Sequence, residues 1–310
     1  MTRALAVLTV SLGLLSLLVG QAGVGIVDGT ILWSLRAPRT LLAAAIGGAL
    51  GLTGAVLQGL LRNRLADPGL LGVTGGASLG AVLAYYYGLA ARLPLALPAG
   101  GLAGAGLAAA AILLVAGRTG TGAALVLAGI AIASLTGAAV AVALSFAPNP
   151  FALAEITVWL LGSLEDRGWA EVALALPAVA AGAVLLLGLG RRLDALSLGE
   201  RSALSLGVDV AATVRRAALG SALAVGASAS VAGGVGFVGL IVPNLLRGRV
   251  GERPGALLAP SLFGGASLVL AADIAVRLVP LQQELRLGVV TALIGAPMLL
   301  SLVAGGGERP

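Results

Sequence analysis

Three arginines and one aspartate are the residues of this chain whose types and spacing could do chemistry. Arg36 and Arg39 flank Pro38, which suits the first turn of a helix, and their guanidinium groups would point to similar sides. Arg277 follows Asp273 by four residues near the end of another apolar segment. Three neighbouring guanidinium groups could bind carboxylates of a partner protein. In the alternative interpretation, Arg36 and Arg39 only extend to a membrane surface, and Arg277 pairs with Asp273 within one helix.

Missing residue types exclude several other kinds of chemistry. All 19 basic residues are Arg, and the chain has no Lys, His or Cys. A phosphate-binding loop requires Lys, and His and Cys are the usual ligands of zinc, copper and iron–sulfur clusters. No apolar segment carries paired carboxylates for acid–base catalysis. We therefore expect no enzymatic activity and no metal or cofactor in this chain, so any ATP and Mg²⁺ would be bound by a separate partner.

The composition indicates a membrane protein. Hydrophobic residues make up 59% of the 310 positions, charged residues 10%, and the mean hydropathy is +1.07. The net charge of +6 could suggest nucleic acid, but the arginines are scattered between apolar segments, so we expect no nucleic-acid partner. These features predict an all-α integral membrane protein with a single transmembrane domain over residues 1–310.

Windows without charge, each about 20 residues long, predict where helices cross the bilayer. Pro148-Asn149-Pro150 would end the fifth helix, and residues 151–162 would form a short interfacial helix. The glycine-rich residues 233–236 would separate the seventh span from a short eighth one, unless the two form one tilted helix kinked at Pro243. The ten predicted spans are 4–27, 40–61, 68–91, 93–117, 119–147, 172–190, 217–232, 237–249, 254–272 and 287–307.

The arginines also predict the orientation. With Met1 in the cytoplasm, thirteen of the 19 arginines fall on the cytoplasmic side, among them Arg62 and Arg64 in the polar turn 62–69. Arg36, Arg39 and Arg277 then lie on the outer side. Ten spans place both termini in the cytoplasm. Residues 1–23 also resemble a signal peptide, but we expect them to remain as the first helix.

The longest polar segment between spans is 191–209, between the sixth and seventh. Asp194 could cap a short helix that Gly199 ends, and a second short helix would end at Gly207. Such a helix pair could dock on a cytoplasmic partner or lie flat on the membrane. The leucines that would be left exposed are Leu196, Leu198, Leu204 and Leu206.

Glycines recur at four-residue spacing in several predicted spans. Such spacing gives one helix face on which a neighbouring backbone can approach closely. The surface could allow sliding or serve static packing, and sequence alone favours packing. The glycines are Gly47 and Gly51, then Gly72, Gly76 and Gly80, then Gly100 and Gly104.

From about Arg36 to Leu302 the chain resembles the FecCD-like permeases of type II ABC importers, which transport vitamin B12, haem and ferric siderophores. Several motifs together carry the resemblance. They are Leu35-Arg36-Ala37-Pro38-Arg39, Gly54-Ala55-Val56-Leu57-Gln58, Asn63-Arg64-Leu65-Ala66-Asp67-Pro68-Gly69, Leu196-Ser197-Leu198-Gly199-Glu200, Gly236-Phe237-Val238-Gly239, Ala272-Asp273-Ile274-Ala275-Val276-Arg277 and Gly295-Ala296-Pro297.

The resemblance implies a ten-span permease of the bacterial cytoplasmic membrane that forms a homodimer around a central path. It implies two cytoplasmic ABC ATPase subunits and an extracytoplasmic substrate-binding protein as partners. Arg36, Arg39 and Arg277 would receive the binding protein. The coupling helices at 191–209 would dock on the ATPase through Leu196, Leu198, Gly199, Glu200, Arg201, Leu206 and Gly207, and Thr121, Gly122 and Ala123 would belong to the cytoplasmic gate loop.

Three positions depart from the family pattern. Asn244 stands where a His commonly follows Pro, Arg64 where Pro commonly follows Asn, and Arg286 where Pro commonly precedes the tenth span.

The alternative function is a secondary transporter or channel driven by an ion gradient, for which broken helices are also expected. No Asp, Glu or Arg lies at the centre of a predicted span, which favours the ATP-driven importer.

Overall fold

The computed structural model describes residues 1–20, 23–25, 28–90, 92–93, 95–116, 121–147, 150–279 and 285–305. Within these ranges the chain is almost entirely helical, as predicted. One antiparallel pair of two-residue strands, β1 (Val19–Gly20) and β2 (Gly23–Val24), accompanies the helices. The helices are α1 Thr2–Leu18, α2 Gly29–Leu61, α3 Val73–Tyr86, α4 Ala96–Ala116, α5 Gly122–Ser145, α6 Pro150–Leu160, α7 Trp169–Leu187, α8 Gly190–Ser197, α9 Glu200–Ser205, α10 Val210–Ala232, α11 Val238–Val250, α12 Pro254–Leu278 and α13 Leu287–Gly305.

Five of the described helices are long and apolar enough to cross a membrane: α2, α4, α5, α7 and α12. α1 and residues 287–301 of α13 are apolar but shorter. α2 and α12 are mostly buried in the centre of the molecule, whereas α5 exposes large apolar side chains such as Leu127 and Leu135. Helices occupy all ten predicted windows, and the number that crosses the bilayer stays a prediction.

Close backbone contact holds α2 against α12. A Cβ atom added at Gly47 would overlap the carbonyl of Gly265, and one added at Gly51 would overlap the carbonyl of Ser261. The same kind of contact joins α3 to α4, where Gly76 and Gly80 face Gly100 and Gly104. The small-residue spacing therefore does place backbones side by side, as the sequence predicted.

The first two helices differ from their predicted bounds. α1 ends at Leu18 and not near 27, and β1 follows it directly. α2 begins at Gly29, so the prediction that Pro38 starts a helix at the outer face is wrong. The helix passes Pro38 through a wide π-helical turn, Leu32–Arg36, in which the Ala37 N–H bonds to the Leu32 carbonyl. The wide turn shifts the hydrogen-bond register, so that the missing N–H of Pro38 does not interrupt the helix.

The glycine-rich break after α10 is confirmed. α10 ends at Ala232 and α11 begins at Val238, so these are two helices and not one helix kinked at Pro243, which lies inside α11. Gly233 has a φ of 69°, and a Cβ there would overlap the Trp159 carbonyl. Only glycine fits both restrictions. α6 agrees with the predicted short helix, while Pro148 and Asn149 lie outside the described residues.

Candidate functional surfaces

A buried ion-pair cluster lies at the end of α12 that the predicted topology places outside. The Asp273 carboxylate is 1% exposed. Its Oδ1 accepts hydrogen bonds from Arg39 Nε at 2.9 Å and Arg39 Nη2 at 2.8 Å. Arg277 Nη2 lies 2.7 Å from Asp273 Oδ2, so the pair within one helix expected by the alternative interpretation of the sequence is present. One carboxylate therefore holds two guanidinium groups, one on its own helix and one on α2.

Arg36 and Arg277 also cap the carboxyl end of α1. A helix leaves its last four carbonyls without partners inside the helix. Here Arg277 Nη1 donates to the Ser16 carbonyl at 2.9 Å, and Arg36 Nη1 donates to the Leu17 carbonyl at 2.8 Å. The Val19 N–H donates to the Leu15 carbonyl, and the Gly25 N–H donates to the Leu18 carbonyl. The positive charges also complement the negative end of the helix dipole, which explains why α1 stops at Leu18.

These contacts make the three arginines less accessible to a partner than the sequence predicted. Arg36 and Arg277 are buried, with Arg277 5% exposed, and hold the end of α1 instead of projecting freely into solvent. The Arg39 side chain is 12% exposed and contacts Asp273. Burial in a membrane protein requires that each charge be paired, and Asp273 and the carbonyls of α1 supply the partners. A role in receiving a binding protein stays a prediction for all three.

A cavity of about 330 Å³ joins this cluster to the loop before α7. Arg36, Arg39 and Arg277 line it together with Glu165 and Arg167. Burial lowers the pKa of Arg167, while the nearby Glu171 and Asp166 carboxylates raise it. At the same loop Arg286 Nη1 lies 2.8 Å from Glu165 Oε2, so this departure from the family pattern ties the start of α13 to the loop. The cavity is therefore rich in cations and partly neutralised by its own carboxylates.

The polar segment 191–209 forms the two short helices predicted for it, α8 and α9. Gly199 and Gly207 adopt positive φ angles of 102° and 78° and follow the two helices. Leu198 is 67% exposed, and Leu204 and Leu206 are exposed to a similar degree. Leu196 differs from the prediction because its side chain is only 3% exposed and packs in the core. Glu200 and Arg201 begin α9 and are exposed, as is Gly207. The surface available to a partner therefore includes Leu198, Glu200, Arg201, Leu204, Leu206 and Gly207.

Asp194 does not cap its own helix, which corrects the sequence prediction. α8 begins four residues earlier, at Gly190. The Asp194 carboxylate instead reaches α12, where its Oδ1 accepts a hydrogen bond of 2.7 Å from the Gly255 N–H. Gly255 is the second residue of α12, whose own N-cap residue, Arg253, provides no side-chain cap. Asp194 thus caps a helix 60 residues further along the chain.

A polar network at the end of the molecule that the predicted topology places in the cytoplasm joins the turn 62–69 to α11. Gln58, 2% exposed, donates through Nε2 to the Gly239 carbonyl at 3.2 Å and accepts from Arg247 Nη2 at 2.9 Å. Glu252 lies 3.0 Å from Arg64 Nη2 and 3.4 Å from Arg247 Nη1. Sequence reasoning did not find this network, although a lone amide in an uncharged window was a signal that Gln58 needed a partner.

Two departures from the family pattern meet in this network. Asn244 Nδ2 donates to the Arg64 carbonyl at 2.9 Å and to the Leu240 carbonyl at 2.8 Å. The amide therefore fastens α11 to the polar turn. Asp67 in the same turn accepts from the Gly69 N–H at 2.8 Å. Burial raises the pKa of the Asp67 carboxyl, and backbone N–H groups of Gly69 and Leu240 partly oppose this shift.

The predicted gate residues begin α5. Thr121 is the N-cap residue, and its hydroxyl accepts a hydrogen bond of 3.3 Å from the Ala124 N–H. Gly122 and Ala123 are the first two residues of the helix. Residues 117–120, which complete the predicted loop, lie outside the described residues. In the described part of the chain the three predicted surfaces lie at different loops and helix ends.

The sequence model that describes the FecCD transport family matches residues 4–305 of the chain. The chain belongs to the FecCD transport family. This FecCD protein is therefore a permease subunit of the ABC importer type and not an enzyme, which confirms the resemblance seen in the motifs.

Curated FecCD relatives match most of the chain. The hemin transport system permease protein HmuU of Yersinia pestis is 39% identical over 274 residues, which cover 87% of this chain and 82% of the relative. The vitamin B12 import system permease protein BtuC of Vibrio cholerae serotype O1 is 41% identical, with 87% and 81% covered. The ferric enterobactin transport system permease protein FepD of Escherichia coli K12 is 41% identical, with 89% and 82% covered.

A solved structure has the same fold. It is described as a metal-chelate type ABC transporter in an inward-facing conformation, and its chain is 30% identical to this FecCD protein. The TM-score is 0.87, and the alignment covers 98% of each chain. The helix arrangement described above is therefore that of an ABC transporter permease.

Proposed function

We propose that this FecCD protein forms the translocation path of an ATP-driven importer for an iron complex, either a ferric siderophore or haem, or for vitamin B12. The family match over residues 4–305 is the observation that carries this proposal. The relatives named for hemin, vitamin B12 and ferric enterobactin support the three cargo classes. The described part of the chain holds no group of three or more His, Cys, Asp or Glu side chains that could bind a metal ion, so we expect the cargo to cross as an intact complex selected by the binding protein.

Uptake into proteoliposomes tests this function. The permease would be reconstituted with its ATPase and binding protein, and uptake of labelled cobalamin, ⁵⁵Fe-siderophore and haem would be compared with and without ATP inside. We expect one cargo to accumulate only with ATP. Uptake of the same size without the ATPase would instead favour transport driven by an ion gradient.

We also propose ten spans in a bacterial cytoplasmic membrane, with both termini in the cytoplasm, and a homodimer as the functional unit. The arginine distribution supports the orientation. The apolar faces of α5 and α13, with Leu127 and Leu293 about 70% exposed, support burial against lipid and a second copy. The second copy would complete the path that one chain leaves open.

In this proposal the ATPase docks on α8 and α9. Leu198→Asp should lower transport at least about tenfold, because a charge replaces an exposed leucine that would enter a groove of the ATPase. The affinity of the purified permease for the ATPase, measured by surface plasmon resonance, should fall with it. Leu107→Asn, a change at an equally exposed position on α4, is the matched control for membrane insertion and should leave that affinity unchanged. Equal ATPase affinity of the Leu198 variant and the wild type would contradict the docking assignment.

The binding protein is proposed to dock at the outer arginine cluster, with Arg39 as its most accessible member. Arg39→Gln should weaken capture of the binding protein about fivefold and reduce the salt dependence of the affinity. Arg92→Gln, at an exposed arginine outside the cluster, is the control. Affinities would be measured in nanodiscs between 50 and 500 mM salt, values chosen to span the screening range. Identical salt slopes for Arg39→Gln and the wild type would refute the docking role of Arg39.

A further inference from the structure

The contact between Asp194 and α12 joins the predicted ATPase-docking segment to the closely packed helix pair α2 and α12. Asp194 Oδ1 lies 2.7 Å from the Gly255 nitrogen. A Cβ added at Gly255 would come within 2.8 Å of both Asp194 Oδ2 and the Gly190 carbonyl oxygen. The close approach of α8 to the start of α12 therefore requires glycine at this position.

Apolar packing strengthens the same junction. Leu193, which precedes Asp194, is fully buried. A Cβ at Gly59 of α2 would lie 2.8 Å from Pro254 Cβ and 3.7 Å from Leu193 Cδ1, so α8, α2 and α12 meet at one point. A displacement of α8 cannot occur without moving the start of α12 or breaking the Asp194 hydrogen bond.

α12 extends from this junction to the opposite end of the molecule. It has 25 residues, so its two ends are about 37 Å apart at the rise of an α-helix. The far end bears Asp273 and Arg277, which hold Arg39 of α2 and the carboxyl end of α1. The glycine contacts fix α2 against α12 along the way, so the pair is expected to move as one body.

We propose that Asp194 is a positioning residue which clamps the ATPase-docking segment to α12, so that movement of α8 reaches the outer arginine cluster through the rigid pair α2 and α12. The proposal rests on the proposed importer function. Asp194 contacts neither the ATPase surface nor the cargo path in this assignment. Its carboxylate supplies the acceptor that Arg253 does not supply to the first turn of α12.

The test compares Asp194→Ala with Asp194→Asn in the complete reconstituted transporter. Asn keeps an oxygen that can accept from Gly255 N–H, whereas Ala does not. Asp194→Ala should bind the ATPase normally and hydrolyse ATP, yet import about fivefold less cargo per ATP, because loss of the helix cap weakens the contact between α8 and α12 by about that factor. Asp194→Asn should stay within about twofold of the wild type. If the Ala variant assembles poorly, Asp194→Ser, with a hydroxyl too short to reach Gly255, replaces it.

A second readout separates transmission from stability. In the wild type the affinity for the binding protein should differ between the nucleotide-free and ATP-bound complexes, and in Asp194→Ala this difference should shrink about fivefold. Asp28→Ala removes a helix-cap aspartate at the start of α2, away from α8 and α9, and should leave the cargo imported per ATP unchanged.

Normal cargo import per ATP in Asp194→Ala would overturn the clamp, as would equal impairment of the Ala and Asn variants. Both results leave the importer function intact, since the wild type would still transport. Absence of ATP-dependent uptake by the wild-type complex would instead refute the proposed function, and the clamp with it.

Discussion

Replacing Arg277 with Ala should destabilise the permease by about 3–5 kcal/mol, because the change leaves the buried Asp273 carboxylate with one cation fewer. The change also removes the donor to the Ser16 and Val19 carbonyls at the end of α1. We expect the midpoint of thermal unfolding in detergent to fall by roughly 10 °C and the yield of monodisperse protein to drop.

Arg286→Ala is the matched control for this effect. Arg286 also forms an ion pair at 2.8 Å, but its side chain and that of Glu165 are partly exposed. Exposed pairs contribute at most about 1 kcal/mol, so the melting temperature should change little. Arg277→Lys should lie between the two, because Lys keeps the charge and loses the planar set of donors. Equal melting temperatures for Arg277→Ala and the wild type would show that the cluster does not stabilise the fold.

Gly51→Val should separate α2 from α12 and cost about 3 kcal/mol or more. A side chain at this position would overlap the Ser261 carbonyl, and backbone cannot yield as a flexible side chain can. Because α2 and α12 join both proposed docking surfaces, we expect loss of ATP-driven uptake together with a lower melting temperature. Both can be measured on the same purified complex.

Gly106→Ala provides the comparison at a helical glycine that has space around it. No heavy atom lies within 4 Å of the Cβ that would be added there. Stability should stay the same or rise by up to about 1 kcal/mol, since Ala favours helix more than Gly does. If Gly51→Val melts like Gly106→Ala, the close contact between α2 and α12 does not contribute as described.

Much of the fold could be predicted from sequence because helix position depends on local composition. Windows without charge located the helices, and Gly233 to Gly236 located the break between α10 and α11. The pair of Asp273 with Arg277 was also predictable, since residues four apart on a helix are neighbours. Motifs spread along the chain indicated the FecCD family.

The helix ends were less predictable, because distant residues decide them. α1 stops at Leu18 since Arg36 and Arg277 take its carbonyls, and they lie 19 and 261 residues away from their acceptors. The π-helical turn before Pro38 likewise has no local signature of its own. Hydropathy predicts which residues are buried away from water, but it does not predict which side chains will donate hydrogen bonds to the last carbonyls of a helix.

The sequence by itself thus determined an all-helical membrane protein, its family and the surfaces where partners are expected. Only the tertiary structure decided that Arg36 and Arg277 are buried caps, that Leu196 belongs to the core, and that Asp194 holds α12 and not its own helix. The physical reason is that side-chain periodicity fixes neighbours within one helix, whereas partners on different helices depend on which faces pack together. That packing is set by the glycine contacts and buried charges of the whole molecule.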